Sequence, residues 1–473
     1  MSYQLPRSTP EKQGVPSEIL TELLEELSTF DLMKGIIILR HGHIITESYW
    51  KPHHSDQPTA LWSLSKSFTS CAIGFAREEK LLSLDDKLIS FFPEYAPCIT
   101  DEKMFKVTLR DLLTMRSGHA QCAFAFAYAD TAGDYLRGFF ASRLEFEPGT
   151  RFAYNSLGTY MLAAVIRRVT GLNVREDLLP RLFDVLEIVP GKWDSCPAGT
   201  NYGGFGLHLR TADIARFAQL VLNKGVWNGK QVIPADYLAE ALQPHADNSM
   251  NDHPDWKCGY GYQFWCSRHG FRGDGACGQY AVILPEEDMA IAVNGAMTNM
   301  GRVLELFWEK LLPALKGEPL PENLSAADRL AEVAASRQIH VEPCCCQVQR
   351  KNCAFEFFPN AAGIERGEIT FTSKECTLSF KTSRGEEKLA AGFGTLAKST
   401  WQLQDFSPHD VASSARWVDE KSLEIRVVHL DSTFRDTWKI VFEEDEIKFD
   451  WQTCCSLFRP LMVPLKVRSF KEV

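Results

Sequence analysis

Beyond residue 341 the apolar side chains fall on alternate positions. Ile369 and Phe371, Leu378 and Phe380, Leu423, Ile425 and Val427, Trp438, Ile440 and Phe442, and Ile447, Phe449 and Trp451 all follow this pattern. A period of two puts each set on one face of a strand. Strands recurring at short intervals, with no helical spacing between them, predict an all-β sandwich or barrel. The chain upstream has a different texture. Residues 17–29 carry apolar positions at helical spacing, and two β-branched runs flank Arg40-His41-Gly42-His43, which predicts a hairpin turning at Gly42. The stretch 316–322, with Gly317, Pro319 and Pro321, reads as a linker between the two textures. A helix of about a dozen residues, Ser325–Ser336, is expected after it. At 473 residues the chain exceeds what one core accommodates, which agrees with a two-part reading.

The net charge is −10 and no Lys/Arg-rich cluster interrupts it, which argues against a nucleic-acid partner. No apolar run approaches the ~18 residues of a membrane helix, and the first residues lack the apolar stretch of a signal peptide. A cytoplasmic protein is expected. The fourteen cysteines are scattered. Neither Cys344-Cys345-Cys346 nor Cys454-Cys455 has the C-x-x-C spacing of a zinc site, so reduced thiols acting as small apolar residues are expected. No cofactor is called for: the loop Gly203-Gly204-Phe205-Gly206 lacks the G-x-G-x-x-G of a dinucleotide fold.

The chemistry concentrates at Trp62-Ser63-Leu64-Ser65-Lys66-Ser67-Phe68. On a helix, residues three apart share a face, so Lys66 stands within reach of the Ser63 hydroxyl. A hydroxyl becomes a competent nucleophile when an adjacent base takes its proton, and lysine can be that base where burial or a cationic neighbour lowers its pKa. Ser63 at a helix start would also place its amide among that end's unpaired donors. Downstream, Tyr154 enters a helix from a turn and can present a phenol, with Asn155 or Ser156 to bond it. The segment Gly273–Gln279 precedes a strand and can let a substrate approach its backbone, offering the Ala276 amide. Helices are further expected through Phe68–Ala76, at Thr108–Met115, at Tyr160–Val169, at Thr211–Asn223 with Thr211 as N-cap, and at 302–315. Strands are expected at Tyr280–Leu284 and Met289–Val293. Residues 121–142, rich in Ala, Phe and Tyr, are expected to form a helix or a covering segment.

Over roughly residues 8–315 the chain resembles the serine hydrolases of the β-lactamase fold, which include class C β-lactamases, penicillin-binding DD-peptidases, esterases and nylon-dimer hydrolases. Ser63-Leu64-Ser65-Lys66 matches the family's S-x-x-K, and Tyr154-Asn155-Ser156 stands at its Y-x-N. Leu84-Asp85-Asp86-Lys87, the run 112–118, Glu147-Pro148-Gly149-Thr150, the run 203–207 and the run 225–230 match in order and spacing. The resemblance implies an α+β fold: an antiparallel sheet flanked by helices with an all-helical subdomain, followed by a small barrel-like β domain. The expected division is a hydrolase domain at 1–317, a linker and short helix at 318–340, and a β-rich domain at 341–473. It also implies Ser63 as the acylated nucleophile, Lys66 as its base and Tyr154 as proton shuttle. The oxyanion hole would be the amides of Ser63 and Ala276, with Ser156, Asp274 and Gly275 along the substrate.

Two positions depart from the pattern. Ser156 replaces the asparagine of Y-x-N, as in the esterase and nylon-dimer hydrolase branch. The K-T-G or H-x-G triad aligns with Gly273-Asp274-Gly275, which lacks the cation and carries a carboxylate that would repel an acidic substrate. Arg268, His269 and Arg272 are expected to be solvated rather than to substitute for it. The reading is therefore a serine hydrolase acting on a small ester or amide, with self-association left open. The alternatives are an inactive β-lactamase-fold binding protein and, further off, a β-lactamase or DD-peptidase.

Overall fold

The computed structural model describes residues 5–30, 32–129, 133–360, 363–382, 385–402, 408–444, 446–453 and 465–472. The Cys454-Cys455 pair lies outside them. The chain forms two compact units: residues 1–49 with 60–337, and residues 50–59 with 338–473. The α+β architecture with a closed barrel is the one expected.

The first unit is built on a six-stranded antiparallel sheet. Its strands are β1 (Met33–Arg40), β2 (His43–Tyr49), β3 (Trp265–Cys266), β4 (Phe271–Gly275), β5 (Gln279–Leu284) and β6 (Met289–Gly295), in the order β2-β1-β6-β5-β4-β3. The first and last portions of the unit thus meet in one sheet, and β1 beside β6 is buried along all eight residues. The β1–β2 hairpin turns at His41-Gly42, both at positive φ (49° and 73°), the conformation that Gly accepts without steric cost.

Helix α1 spans Ser17–Leu27, α2 Ser65–Glu78, α3 Ser156–Thr170, α4 Thr211–Leu222 and α5 Leu324–Ser336. α4 lies across β1, β5 and β6, and α5 packs along α1 and β2. Thr211 is not the cap of α4. Arg210 holds that position, the Asp213 carboxylate accepts its backbone N–H at 3.1 Å, and the Thr211 hydroxyl instead donates to Asn294 Oδ1 at 2.7 Å.

The expected helix at 302–315 is three pieces: Gly301–Leu306, a wider i→i+5 turn at Phe307–Leu311, and Leu312–Ala314. Pro313 has no N–H to return to the preceding turn, which accounts for the break in the α-ladder. The 121–142 stretch holds two short helices, Phe124–Ala129 and Tyr135–Phe140; residues 130–132 fall outside the described set.

Among the described residues the second unit contains ten strands: β7 Cys353–Phe357, β8 Ile364–Phe371, β9 Glu375–Thr382, β10 Gly385–Phe393, β11 Ala397–Trp401, β12 His409–Trp417, β13 Ser422–His429, β14 Arg435–Phe442, β15 Ile447–Thr453 and β16 Leu465–Glu472. Their order is β10-β9-β8-β7-β16-β15-β14-β13-β12-β11, and a parallel pairing of β10 with β12 closes nine of them into a barrel. Closure removes the edges that an open sheet would expose. The alternating residues fill the interior: Leu378, Phe380, Ile425, Val427, Trp438, Ile440, Phe449 and Trp451 share one core, where Trp438 stacks on Trp451 at 4.3 Å. No described helix is long and apolar enough to cross a membrane. The described cysteines form no disulfide.

Candidate active site

Ser63 does not open α2. It sits one turn earlier, in a 3₁₀ turn at Trp62–Leu64, and Trp62 takes φ = 49°, a conformation rare for a bulky residue. α2 then runs buried from Ser65 through Ala76, although half of its first turns are hydroxyls. Each of these hydroxyls has a partner. Ser65 Oγ accepts from the Leu207 amide, Ser67 donates to Gln263 O, Thr69 to Gly203 O and Ser70 to Tyr262 O. Bonded hydroxyls make burial of this face affordable and stitch α2 to the 203–207 and 262–263 loops.

Lys66 lies at the centre. Its Nζ is 3.0 Å from Ser63 Oγ, 2.9 Å from Ser156 Oγ and 2.7 Å from the Gly204 carbonyl oxygen. Burial depresses its pKa to about 7, against the smaller upward pull of Cys122 and Asp274. Close to neutrality the amine is therefore part uncharged. The Gly204 carbonyl can only accept, so one N–H of the neutral amine is committed there. A second can go to Ser156, and the lone pair is then directed at the Ser63 hydroxyl.

The Tyr154 hydroxyl lies beside Ser63, and its ring lies under the Lys66 amine at 4.8 Å. Burial, with the charge of Asp274 adding to it, holds its pKa above the ordinary phenol value, so it remains a protonated donor. Trp265 stacks on it at 5.4 Å and Tyr260 meets it edge-on at 6.1 Å, which fixes the ring plane. Asn155 takes no part here. It caps α3 by accepting from the Leu157 amide at 3.1 Å and also accepts from the Ala123 amide at 3.0 Å.

The Gly273-Asp274-Gly275 strand β4 packs directly on the Ser63 turn. A Cβ on Gly275 would fall 2.0 Å from Leu61 O, and one on Gly273 2.4 Å from Leu64 Cδ1. At Gly275 the clash is with backbone, so glycine is required there; at Gly273 the Leu64 and Ser67 side chains would have to shift. Ala276 follows at the strand end.

Asp274 and Arg272 correct the expectation for this strand. Arg272 is fully buried rather than solvated, with its guanidinium over Trp256 at 4.5 Å and Trp265 at 5.6 Å. Its Nε donates to Asp274 Oδ2 at 3.0 Å, and Nη1 donates to the Asp255 carbonyl at 2.9 Å. Burial pushes the Asp274 carboxyl upward while Arg272 and Lys66 draw it down. The carboxylate is thus half of a buried ion pair, not a bare negative wall. Arg268 is bound instead to Asp255 at 2.8 Å, and His269 is exposed beside Trp308.

A family model for Beta-lactamase matches residues 32–302, more than half of the chain. The chain belongs to the β-lactamase family. Within this family it is similar to the 6-aminohexanoate-dimer hydrolase of Paenarthrobacter ureafaciens, 24% identical over 297 residues that cover 58% of this chain and 74% of that one. Among solved structures it shares its fold with EstCE1, a hydrolase with promiscuous acyltransferase activity. That match has a TM-score of 0.53 and 16% identity over 62% of this chain and 99% of the other. A structure of SurE matches across 92% of this chain and 97% of its own, with a TM-score of 0.51 and 16% identity. These structures share the β-lactamase fold of the matched family.

Sequence reasoning missed the Gly204 carbonyl and the Trp265 platform. The first leaves a faint signal: Gly203-Gly204 is a glycine pair, and a Cβ on Gly204 would stand 2.9 Å from Ser156 O and 3.5 Å from Lys66 Nζ. Trp265 carries no local signal, because the residues that make it a platform come from other segments.

Proposed function

We propose that this chain hydrolyses a small ester or amide through an acyl-enzyme on Ser63. The observation that carries the reading is the buried Lys66 amine, 3.0 Å from Ser63 Oγ with its pKa lowered to about 7. Ser63 Oγ attacks the carbonyl carbon while its proton passes to the Lys66 lone pair. The oxygen that gains charge is held by the amides of Ser63 and Ala276. As the C–O or C–N bond breaks, Tyr154 gives its proton to the leaving group and is reprotonated from the Lys66 ammonium. Water then enters along the same route, and its proton returns to Ser63 as the acyl group leaves.

The polar groups around Ser63 sum to little net charge: a part-neutral amine, a neutral phenol and the Arg272–Asp274 pair. The guanidinium that could meet a substrate carboxylate is already engaged by Asp274. This disfavours β-lactams and D-Ala-D-Ala peptides and favours uncharged acyl groups. The likeness to the 6-aminohexanoate-dimer hydrolase makes linear amides natural substrates to try beside esters.

Incubation with a fluorophosphonate, read by intact mass, is expected to add one adduct to the wild type and none to Ser63→Ala. Turnover of a p-nitrophenyl ester should fall by about 10³-fold or more in Lys66→Ala, since a nucleophile and its base act as a unit. Equal labelling of wild type and Ser63→Ala would instead favour an inactive binding protein.

A further inference from the structure

The inward faces of β12, β13 and β14 are apolar apart from Ser413 and one end. Along β12 the inward positions run His409, Val411, Ser413, Ala415 and Trp417; along β13 they run Leu423, Ile425, Val427 and His429; along β14 they run Asp436, Trp438, Ile440 and Phe442. The register pairs Val411 with His429 and Val427 with Asp436. Three neighbouring strands therefore end their apolar ladders on two imidazoles and a carboxylate, all buried. The turn between β13 and β14 adds Asp431. Three of these four ionisable groups are buried and Asp431 is partly so, and they meet as two imidazole–carboxylate pairs.

Three of them can converge on one ion. His409, His429 and Asp431 each offer an atom, and these lie within 4.8 Å of one another. His409 Nδ1 is 2.8 and 3.0 Å from the two Asp431 oxygens. Such a separation is near the ~3.3 Å edge of a tetrahedron with bonds of about 2.0 Å, so an ion can take the place of the shared proton. His429 Nε2 is 3.1 Å from Asp436 Oδ2. That contact holds the ring in place, the arrangement by which a carboxylate orients a ligating imidazole.

We propose that His409, His429 and Asp431 bind a divalent transition metal of the zinc class, with Asp436 positioning His429, and that the ion pins the start of β12 to the β13–β14 turn. Two imidazoles and one carboxylate suit Zn²⁺, with water completing four ligands. Loading displaces the imidazole proton, so affinity falls as pH drops.

The test uses the full-length chain, stripped of metal and titrated with ZnCl₂ and CoCl₂. One equivalent should bind with micromolar or tighter affinity. The Co²⁺ form should show visible tetrahedral bands without thiolate charge transfer. His409→Gln and Asp431→Asn should each weaken binding at least 100-fold, and Asp436→Asn about 10- to 100-fold. Ser63→Ala should bind as the wild type does. Absence of Zn²⁺ and Co²⁺ binding by the wild type, a thiolate band in its Co²⁺ spectrum, or unaltered affinity in both ligand variants would overturn the proposal. Should either variant misfold, the wild-type Co²⁺ spectrum decides alone.

Discussion

A lysine that loses its charge at neutral pH gives an activity profile with a readable sign. In the proposed mechanism Lys66 acts as a base only when uncharged, and its pKa is lowered to about 7 by burial. The rate kcat/KM should therefore rise with pH, reach half its plateau near pH 7, and level off above pH 8. Asp274 raises the Lys66 pKa by its charge, so Asp274→Asn should move that rising limb to lower pH. The same substitution leaves Arg272 buried and unpaired, a loss of about 3–5 kcal/mol that a chemical denaturation curve would register. Of these residues, Ser63 and Lys66 were legible because a three-residue spacing on a helix is itself a geometric statement. Arg272 was not. A lone arginine in a strand reads as solvated, and only the folded chain brings Trp256 and Trp265 around it. Ser156 stood at a recognised position, but its bond to Lys66 links residues ninety apart in sequence.

The contact between β4 and the Ser63 turn is set by backbone proximity, which makes it unforgiving. Gly275→Ala would drive a methyl group into Leu61 O and push the turn off its place. We expect kcat to fall about 100-fold, as for an ångström-scale misplacement of a reacting group, with far less change in the overall circular dichroism. Labelling kinetics with a fluorophosphonate would measure it directly. At this scale the sequence was informative about regular elements. The β1–β2 hairpin shows in its β-branched runs and Gly42, and α3 closes at Gly171 with φ = 76°. It was less informative where a side chain competes with the pattern. Thr211 looked like a cap but bonds Asn294, and the periodic 302–315 stretch hides a broken ladder around Pro313. The 3₁₀ turn that carries Ser63 leaves the same three-residue spacing as a helix start, so the sequence does not separate the two.

For the whole molecule, the period-two alternation was enough to announce a β domain, yet it held no sign that the domain includes residues 50–59. Trp50 is buried, and Lys51 O accepts from the Ile339 amide at 2.9 Å within that second unit. A chain ending at Arg337 should therefore aggregate, because it keeps 50–59 but loses the rest of the unit they belong to. Replacing 50–59 by a short Gly-Ser turn in that truncated chain should restore a monodisperse species in light scattering. The chain enters the second unit, leaves it and returns only after completing the first. During synthesis the ten residues just upstream of Ser63 emerge long before the strands they join. The ribosome thus releases the approach to Ser63 unfinished, and the first unit is complete in sequence before one of its internal connections has anywhere to settle. Slowing translation after residue 337 should lengthen the life of that unfinished state and its exposure to chaperones.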